Sequence, residues 1–407
     1  MATNEIYGSA ILGEIIKKLD LPPGAYEKAE ERYLDFGKWF SGDDSLVQGY
    51  DPHIFSQGSF RLGTVIRPLD EKEAYDLDLV CKLRSGYKKM NHTQKELKEL
   101  VGRELDNYRV ARGIHKPLEH KHRCWCLEYK DTLGFHMDII PCIPAEGQKI
   151  MVIMEAMRRF SESDEALSQE ASHLTVSITD DRSQTYRIRS NDWPISNPEG
   201  YALWFKSRID KGIKMAVMER ARVDDIPMYA RKTVLQRVVQ IMKRHRDVFF
   251  KQDQTQYNKP ASIIISTLAA RAYQGEQSIP QALIKILSDM DKYISTGNHG
   301  EPLIPNPVDP RENFADKWSM PQYEQLQLAE HFQSWLAQAR ADFNRILESD
   351  DSSRVNMIIG SQMEISLNRD LVSRLMAEAG KTEYAQAGRG PTYHKPSSPP
   401  PKPWENM

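Results

Sequence analysis

The run YDLDLV (75–80) carries two aspartates, Asp76 and Asp78, at alternate positions. Successive side chains of an extended chain point to opposite faces, so both carboxylates share one face about 7 Å apart, while Leu77 and Leu79 take the other. Two carboxylates side by side repel each other unless a cation lies between them, and oxygen ligands suit Mg²⁺ or Mn²⁺. A third acid, Asp138, stands in FHMDIIPCIP, another strand-like run with apolar flanks. Three convergent carboxylates can hold two metal ions about 3.5–4 Å apart, one lowering the pKa of an attacking hydroxyl and the other neutralising a leaving pyrophosphate. Upstream, SQGSFRLGT (56–64) reads as a small loop entering a helix, where Gly58 and Ser59 would offer backbone N–H groups and a hydroxyl to phosphate oxygens. Alone, a DxD is usually a surface feature and a Gly-Ser pair usually a turn. Their order and spacing together point to nucleotidyl transfer.

The elements that must position these residues are legible in outline. Residues 8–41 read as two helices broken at Pro22, Pro23 and Gly24, because apolar residues recur there at three- and four-residue steps. Residues 53–144 alternate between strand-like runs, including CWCLEY and FHMDIIPCI, and a polar helix at about 93–111, which implies a sheet with helical cover. HLTVSITD (173–180) and TYRIRS (185–190) are expected to pair as a hairpin turning at Asp181-Arg182-Ser183-Gln184. After Pro198 the pattern is helical, with segments near 198–220, 230–250, 260–274, 279–295, 321–347 and 363–379. From Lys381 onward, apolar periodicity gives way to a Pro-rich stretch that favours an extended, solvated tail. The expected organisation is a catalytic lobe over 1–195 that includes the N-terminal helices, an α-helical lobe over 196–380, and a flexible tail over 381–407.

Composition bounds the function. The 407 residues are 40% apolar and 28% charged, ordinary for a globular protein. Four cysteines, Cys81, Cys124, Cys126 and Cys142, are too few for a disulfide scaffold. No run reaches the ~18 apolar residues of a membrane span, and MATNEIYGSA lacks the plan of a signal peptide, so a cytoplasmic protein is expected, with no membrane partner. With 55 basic and 57 acidic residues the net charge is -2, which argues against a long nucleic acid as partner. HKPLEHKHRCWC (115–126) is dense in His and Cys. It lacks CxxC spacing, and strand alternation puts both cysteines on one sheet face, so it reads as a solvated basic loop rather than a zinc site.

GSFRLGT, DLD and HMDIIP resemble the catalytic signature of the polymerase-β-like nucleotidyltransferases, and most closely that of the CD-NTases, the cGAS/DncV-like cyclic-oligonucleotide synthases of bacterial anti-phage (CBASS) operons. SITDDRSQTY (177–186) and NPEGYALWF (197–205) resemble segments of the DncV branch, and the likeness spans roughly residues 50–320. It implies an α+β fold: a polymerase-β-like core sheet, a helical second lobe, and the active site in the cleft between them. The implied reaction is Mg²⁺-dependent (or Mn²⁺-dependent) attack of a ribose hydroxyl on the α-phosphate of an NTP, ATP and possibly GTP, followed by ring closure to a cyclic di- or trinucleotide second messenger. Asp76, Asp78 and Asp138 would be the catalytic, metal-holding residues for two ions. Gln57, Gly58, Ser59, Lys243 and Ser262 would bind nucleotide, Lys243 from VLQRVVQIMKRHRD (234–247) and Ser262 from KPAS (259–262) both meeting the triphosphate. NPVDPRENFADKW (306–318) would pack where the lobes meet. Implied partners are an operon-encoded effector served through the product and a ubiquitin-transfer-like enzyme at the C-terminus, although the ending Glu405-Asn406-Met407 departs from the small residue usual for such conjugation. The alternatives are a linear transferase acting on an RNA end or a small molecule, and a non-catalytic nucleotide sensor, which the intact carboxylates disfavour.

Overall fold

The computed structural model describes residues 2–70, 73–129, 134–159, 165–209, 232–252 and 256–387. Two N-terminal helices, α1 (Ala2–Leu19) and α2 (Pro23–Phe40), meet at the predicted break, where Pro22 precedes the Pro at the start of α2. They then part company. Tyr33, Phe36 and Phe40 of α2 are buried against the sheet with Leu77, Leu79 and Met137, whereas Ile11, Leu12, Ile15 and Leu19 of α1 are buried in the core of the helical lobe. The expectation that both N-terminal helices sit with the catalytic sheet is corrected for α1. Its apolar face packs on the late helices instead.

The sheet follows from β1 (Pro52–Ser56), α3 (Gly58–Leu62), β2 (Tyr75–Leu83), α4 (Gln94–Ala111), β3 (Glu119–His120), β4 (Trp125–Tyr129) and β5 (Phe135–Pro144). Its order is β1-β2-β5-β4-β3, antiparallel throughout except for β2 beside β5, which run parallel. The crossover that a parallel pair requires is supplied by α4. A capping box starts that helix: the Thr93 hydroxyl accepts from the Glu96 N–H, and the Glu96 carboxylate accepts from the Thr93 N–H. Leu97, Val101 and Leu105 of α4 lie with α2 on one sheet face. Alternation then turns Asp76, Asp78 and Asp138 to the other face, toward the helical lobe.

Past β5 come α5 (Gln148–Arg159), α6 (Glu165–His173), β6 (Val176–Ile178) and β7 (Ile195–Ser196). The expected hairpin is not formed. β6 pairs with β5 and with Ile195–Ser196, and residues 185–190 form turns instead of a strand. The cause is Gln94 at the start of α4: its Oε1 accepts from the Asp180 N–H and its Nε2 donates to Thr185 Oγ1, so the segment is wrapped over the helix end.

The helical lobe contains α7 (Pro198–Ile209), α8 (Val234–Gln252), α9 (Ser262–Ala272), α10 (Ile279–Asp289), α11 (Leu328–Glu348), α12 (Ser352–Met363) and α13 (Arg369–Ala387). The part of the predicted 198–220 helix beyond Ile209 lies outside the described residues. Residues 321–326 form a separate 3-10 turn before α11, set off by Gln327 at φ 43°. The single helix expected over 363–379 is also corrected. Asp351 caps α12, accepting from the Ser353 and Arg354 N–H groups, and Glu364 at φ 49° ends it before α13 begins. α13 runs on through the helix-favouring KTEYAQA to Ala387, past the predicted tail boundary; residues 388–407 lie outside the described residues. Within 306–318, Val308 and Ala315 are buried in the helical core, and the hairpin at 305–313 packs on α5, a structural role as expected. No helix among the described residues is long and apolar enough to cross a membrane.

Candidate active site

Parallel pairing of β2 with β5 sets Asp78 directly opposite Asp138 and Asp76 opposite His136. Adjacent strands lie about 4.8 Å apart, so three acids from two strands converge on one small patch. Asp76 opens to the cleft and Asp78 is half-buried. Burial, together with repulsion from Asp76 and Asp138, pushes the Asp78 carboxyl up to about 7, against the pull of Lys243 and Lys121. Asp76 is raised too, by burial first and by Asp138, with His136 opposing.

The phosphate-type loop is bound to this patch. The Gln57 N–H donates to the Asp78 carbonyl at 2.8 Å, tying the start of α3 to β2, and the Thr64 N–H closes the loop onto the Ser59 carbonyl at 2.9 Å. Gly58 and Ser59 line a cleft of roughly 1140 Å³ with Asp76 and Asp78. That is above the ~300–1,000 Å³ of a single small-ligand site. Gln57 takes part through its backbone, and its side chain is not among the cleft-lining groups.

The opposite wall comes from α8 and α9, and includes Lys243, Arg246, Asp247, Lys259 and Ser262. A solvated polar face on α8 is not what the structure contains: Gln240, Lys243, Arg244 and Arg246 are buried alongside Val238, Ile241 and Met242. Lys243 donates to the Thr64 carbonyl at 2.9 Å, and burial, with Arg246 nearby, pulls its ammonium down to about 7. Arg246 Nη1 donates to Ser262 Oγ and to the Pro260 carbonyl, each at 3.0 Å, while Asp247 holds both Arg246 and Lys259. Of the sequence-derived candidates, Gly58, Ser59, Asp76, Asp78, Lys243 and Ser262 line one cleft, whereas Asp138, though opposite Asp78 in the sheet, and Gln57 are not among its lining residues.

Sequence reasoning missed Lys121. Placed in a solvated basic loop, it instead reaches Asp138, with Nζ 3.0 Å and 3.1 Å from the two carboxylate oxygens. Burial lowers its pKa, but the hydrogen bond and charge of Asp138 outweigh this and raise it. The loop is pinned from behind by the buried Lys98, which donates to the Lys121 and His122 carbonyls. Only the long range of the contact, from before β4 to the middle of β5, hid it.

These residues fit divalent metal. The donors are hard carboxylate oxygens, burial first and then mutual repulsion raise the Asp78 and Asp76 carboxyls, and an ammonium already stands against both oxygens of Asp138. Among the described residues no three such side chains stand grouped as a ready-made metal site. A metal there would compete with that ammonium.

An α+β nucleotidyltransferase, with carboxylates on one wall of a cleft and cations on the other, is the class that this fold and site define. The sequence pattern of the DncV-like cyclic GMP-AMP synthase nucleotidyltransferase domain matches residues 52–141. A c-di-GMP synthase of Roseivirga ehrenbergii is 31% identical over 331 residues, covering 80% of this chain and 76% of that protein. The cyclic dinucleotide synthase CdnG of Bradyrhizobium diazoefficiens is 24% identical over 335 residues, covering 79% and 73%. The solved structure of that CdnG in complex with GTP shares the fold, with a TM-score of 0.59 at 19% identity over 93% of this chain and 99% of that one. Vibrio cholerae DncV with nonhydrolyzable GTP gives 0.52 at 14% identity over 91% and 88%. The chain belongs to the DncV-like CD-NTases. It is an enzyme, a nucleotidyltransferase that makes cyclic oligonucleotides from NTPs, of a family that works with divalent metal ions.

Proposed function

We propose that this chain joins two nucleoside triphosphates, GTP foremost, into a cyclic dinucleotide that acts as a second messenger for an effector in anti-phage defence. GTP is favoured because one relative is named a c-di-GMP synthase and a neighbour of the same fold was solved with GTP. In each of two rounds a ribose hydroxyl oxygen attacks an α-phosphorus, the bond to the pyrophosphate oxygen breaks, and the second round closes the ring. Two Mg²⁺ or Mn²⁺ ions held by Asp76, Asp78 and Asp138 would supply activation of the hydroxyl and neutralisation of the pyrophosphate.

The protein's own groups account for the rest. Asp138 accepts the hydroxyl proton. Gly58 and Ser59 hydrogen-bond phosphate oxygens next to the carboxylates, with Gln57 fixing the loop through its backbone. Lys243, turning from the Thr64 carbonyl, and Ser262, beside Arg246, hold the triphosphate from the helical wall. The limits 1–195 and 196–380 remain the proposed division into lobes, with α1 lent to the second. The C-terminal stretch is the proposed attachment point for a ubiquitin-transfer-like partner.

The observation that carries this reading is the register of β2 and β5, which sets Asp138 opposite Asp78 across 60 residues of sequence, while Asp76 and Asp78 line one cleft with Lys243. The test is mass analysis of products from purified protein given Mg²⁺ and the four NTPs. A guanine-containing cyclic dinucleotide is expected. Linear products alone would overturn cyclisation, and a ring without guanine would overturn the substrate assignment.

A further inference from the structure

Four side chains of α8, Gln236, Gln240, Lys243 and Arg244, fall on one helical stripe, and each donates to a backbone carbonyl in the short segment 62–67. Gln236 Nε2 reaches the Leu62 carbonyl at 2.9 Å and Gln240 Nε2 the Val65 carbonyl at 2.6 Å. Lys243 Nζ reaches Thr64 at 2.9 Å and Arg244 Nη2 reaches Arg67 at 2.7 Å. Residues 64–68 have no regular secondary structure, so their carbonyls find no partner in a helix or strand ladder. The far end of the segment is anchored as well: the Arg67 N–H donates to the Leu19 carbonyl.

The two glutamines differ from the two cations. Gln236 is 2% exposed and Gln240 is fully buried, and every polar atom of both amides is engaged. Gln236 Oε1 accepts from the Thr233 N–H at 2.8 Å. Gln240 Oε1 accepts from Arg237 at 3.3 Å, and its Nε2 also donates to Asp20 at 3.2 Å. Turning either amide over would aim an oxygen at a carbonyl, so each has one orientation. Because the Thr64 N–H is bonded to the Ser59 carbonyl, whatever fixes residues 62–65 also fixes Ser59.

We propose that Gln236 and Gln240 are positioning residues that hold the Gly58–Ser59 loop in register with Asp78 from the helical lobe, and keep it there when Lys243 leaves the Thr64 carbonyl for a phosphate. The inference rests on the nucleotidyltransferase reading of the site, because it assigns a task to a loop which that reading uses. It assigns neither glutamine a contact with substrate.

Two measurements on the full chain test it, using Gln240→Met and Gln236→Met, which keep length and remove the donors. In hydrogen–deuterium exchange without nucleotide, amides of residues 59–65 should exchange at least about tenfold faster in the variants, with β4 and α4 unchanged. In steady-state synthesis, kcat should fall by about 10²-fold, the scale of a small misplacement, while the KM for GTP moves less than about threefold. Adding Ser59→Ala to Gln240→Met should then cost almost nothing further, since the loop contact is already lost. Fully additive losses, or unchanged exchange in the loop, would overturn the proposal. Should Gln240→Met lose its cooperative melting transition, Gln236→Met gives the same comparison. A wild-type protein that made no cyclic product would count against the proposed function, and the exchange measurement would still decide the role of the glutamines.

Discussion

Gly58 and Asp78 are in contact: a Cβ added at residue 58 would lie 2.2 Å from Asp78 Oδ2, and Gly58 holds φ 62°. Both conditions exclude a side chain, one by space and the other by backbone conformation. Gly58→Ala should leave the fold intact and lower nucleotide transfer by about 10²-fold, because the loop or the carboxylate must shift. Turnover with a circular-dichroism melt alongside checks this.

Stability and activity should part at Asp78. Asp78→Asn removes a carboxylate crowded by Asp76 and Asp138, so the nucleotide-free variant should melt higher than wild type while synthesis falls below detection. Asp76→Asn should show the same split more weakly. Calorimetry and product analysis on one preparation check it; a variant that kept turnover would remove the acids from the reaction.

How far the site was legible in the sequence depends on the range of each contact. The DxD face needed only strand alternation, whereas the parallel β2·β5 register that sets Asp78 opposite Asp138 is a pairing across 60 residues that strand-like runs alone do not specify. The Gly58 loop announced itself by residue type. Lys121 did not, since a lysine in a basic loop looks solvated until the sheet brings Asp138 beside it. The burial of the α8 donors was hidden for a related reason: Gln, Lys and Arg look solvent-facing on a helical wheel, and it is the irregular carbonyls on the other lobe that satisfy them when buried. The hairpin at 173–190 did not form because residues 176–178 take β5 and Ile195–Ser196 as their partners, while Gln94 holds Asp180 and Thr185 over the end of α4.

The pH dependence of the nucleotide-free protein should reveal two opposite windows. Asp78 is raised from about 3.9 when unfolded to about 7 when folded, so its contribution to stability is complete below the first value and lost as pH rises through the second. Lys243 is lowered from about 10.4 to about 7, so its contribution is complete above the first value and lost as pH falls through the second. The melting advantage of Asp78→Asn over wild type should therefore grow from pH 4 to pH 7. That of Lys243→Met should grow as pH falls from 10 to 7. Melts across this range check both signs.

Lys121→Met should sharpen metal use. The ammonium at Asp138 competes with a divalent ion, and a partly exposed pair of this kind is worth about 0.2–1 kcal/mol, or roughly a 1.4- to 5-fold change in affinity. The Mn²⁺ concentration for half-maximal binding should fall by that factor, read by calorimetry without nucleotide. An increase would mean that Lys121 orders Asp138 for the ion rather than blocking it.

The placement of α1 bears on how the chain is born. Among the described helices α1 is translated before α13, against which it packs. At about 5–20 residues per second, roughly 20–70 s of synthesis separate the two, and for that interval Ile11, Leu12, Ile15 and Leu19 lack their final neighbours. The sheet with α2 can form early, but the contact that closes α1 into the helical lobe waits for α13. Nascent chains of this enzyme should therefore carry an exposed apolar helix that a holdase can grip until α13 is made.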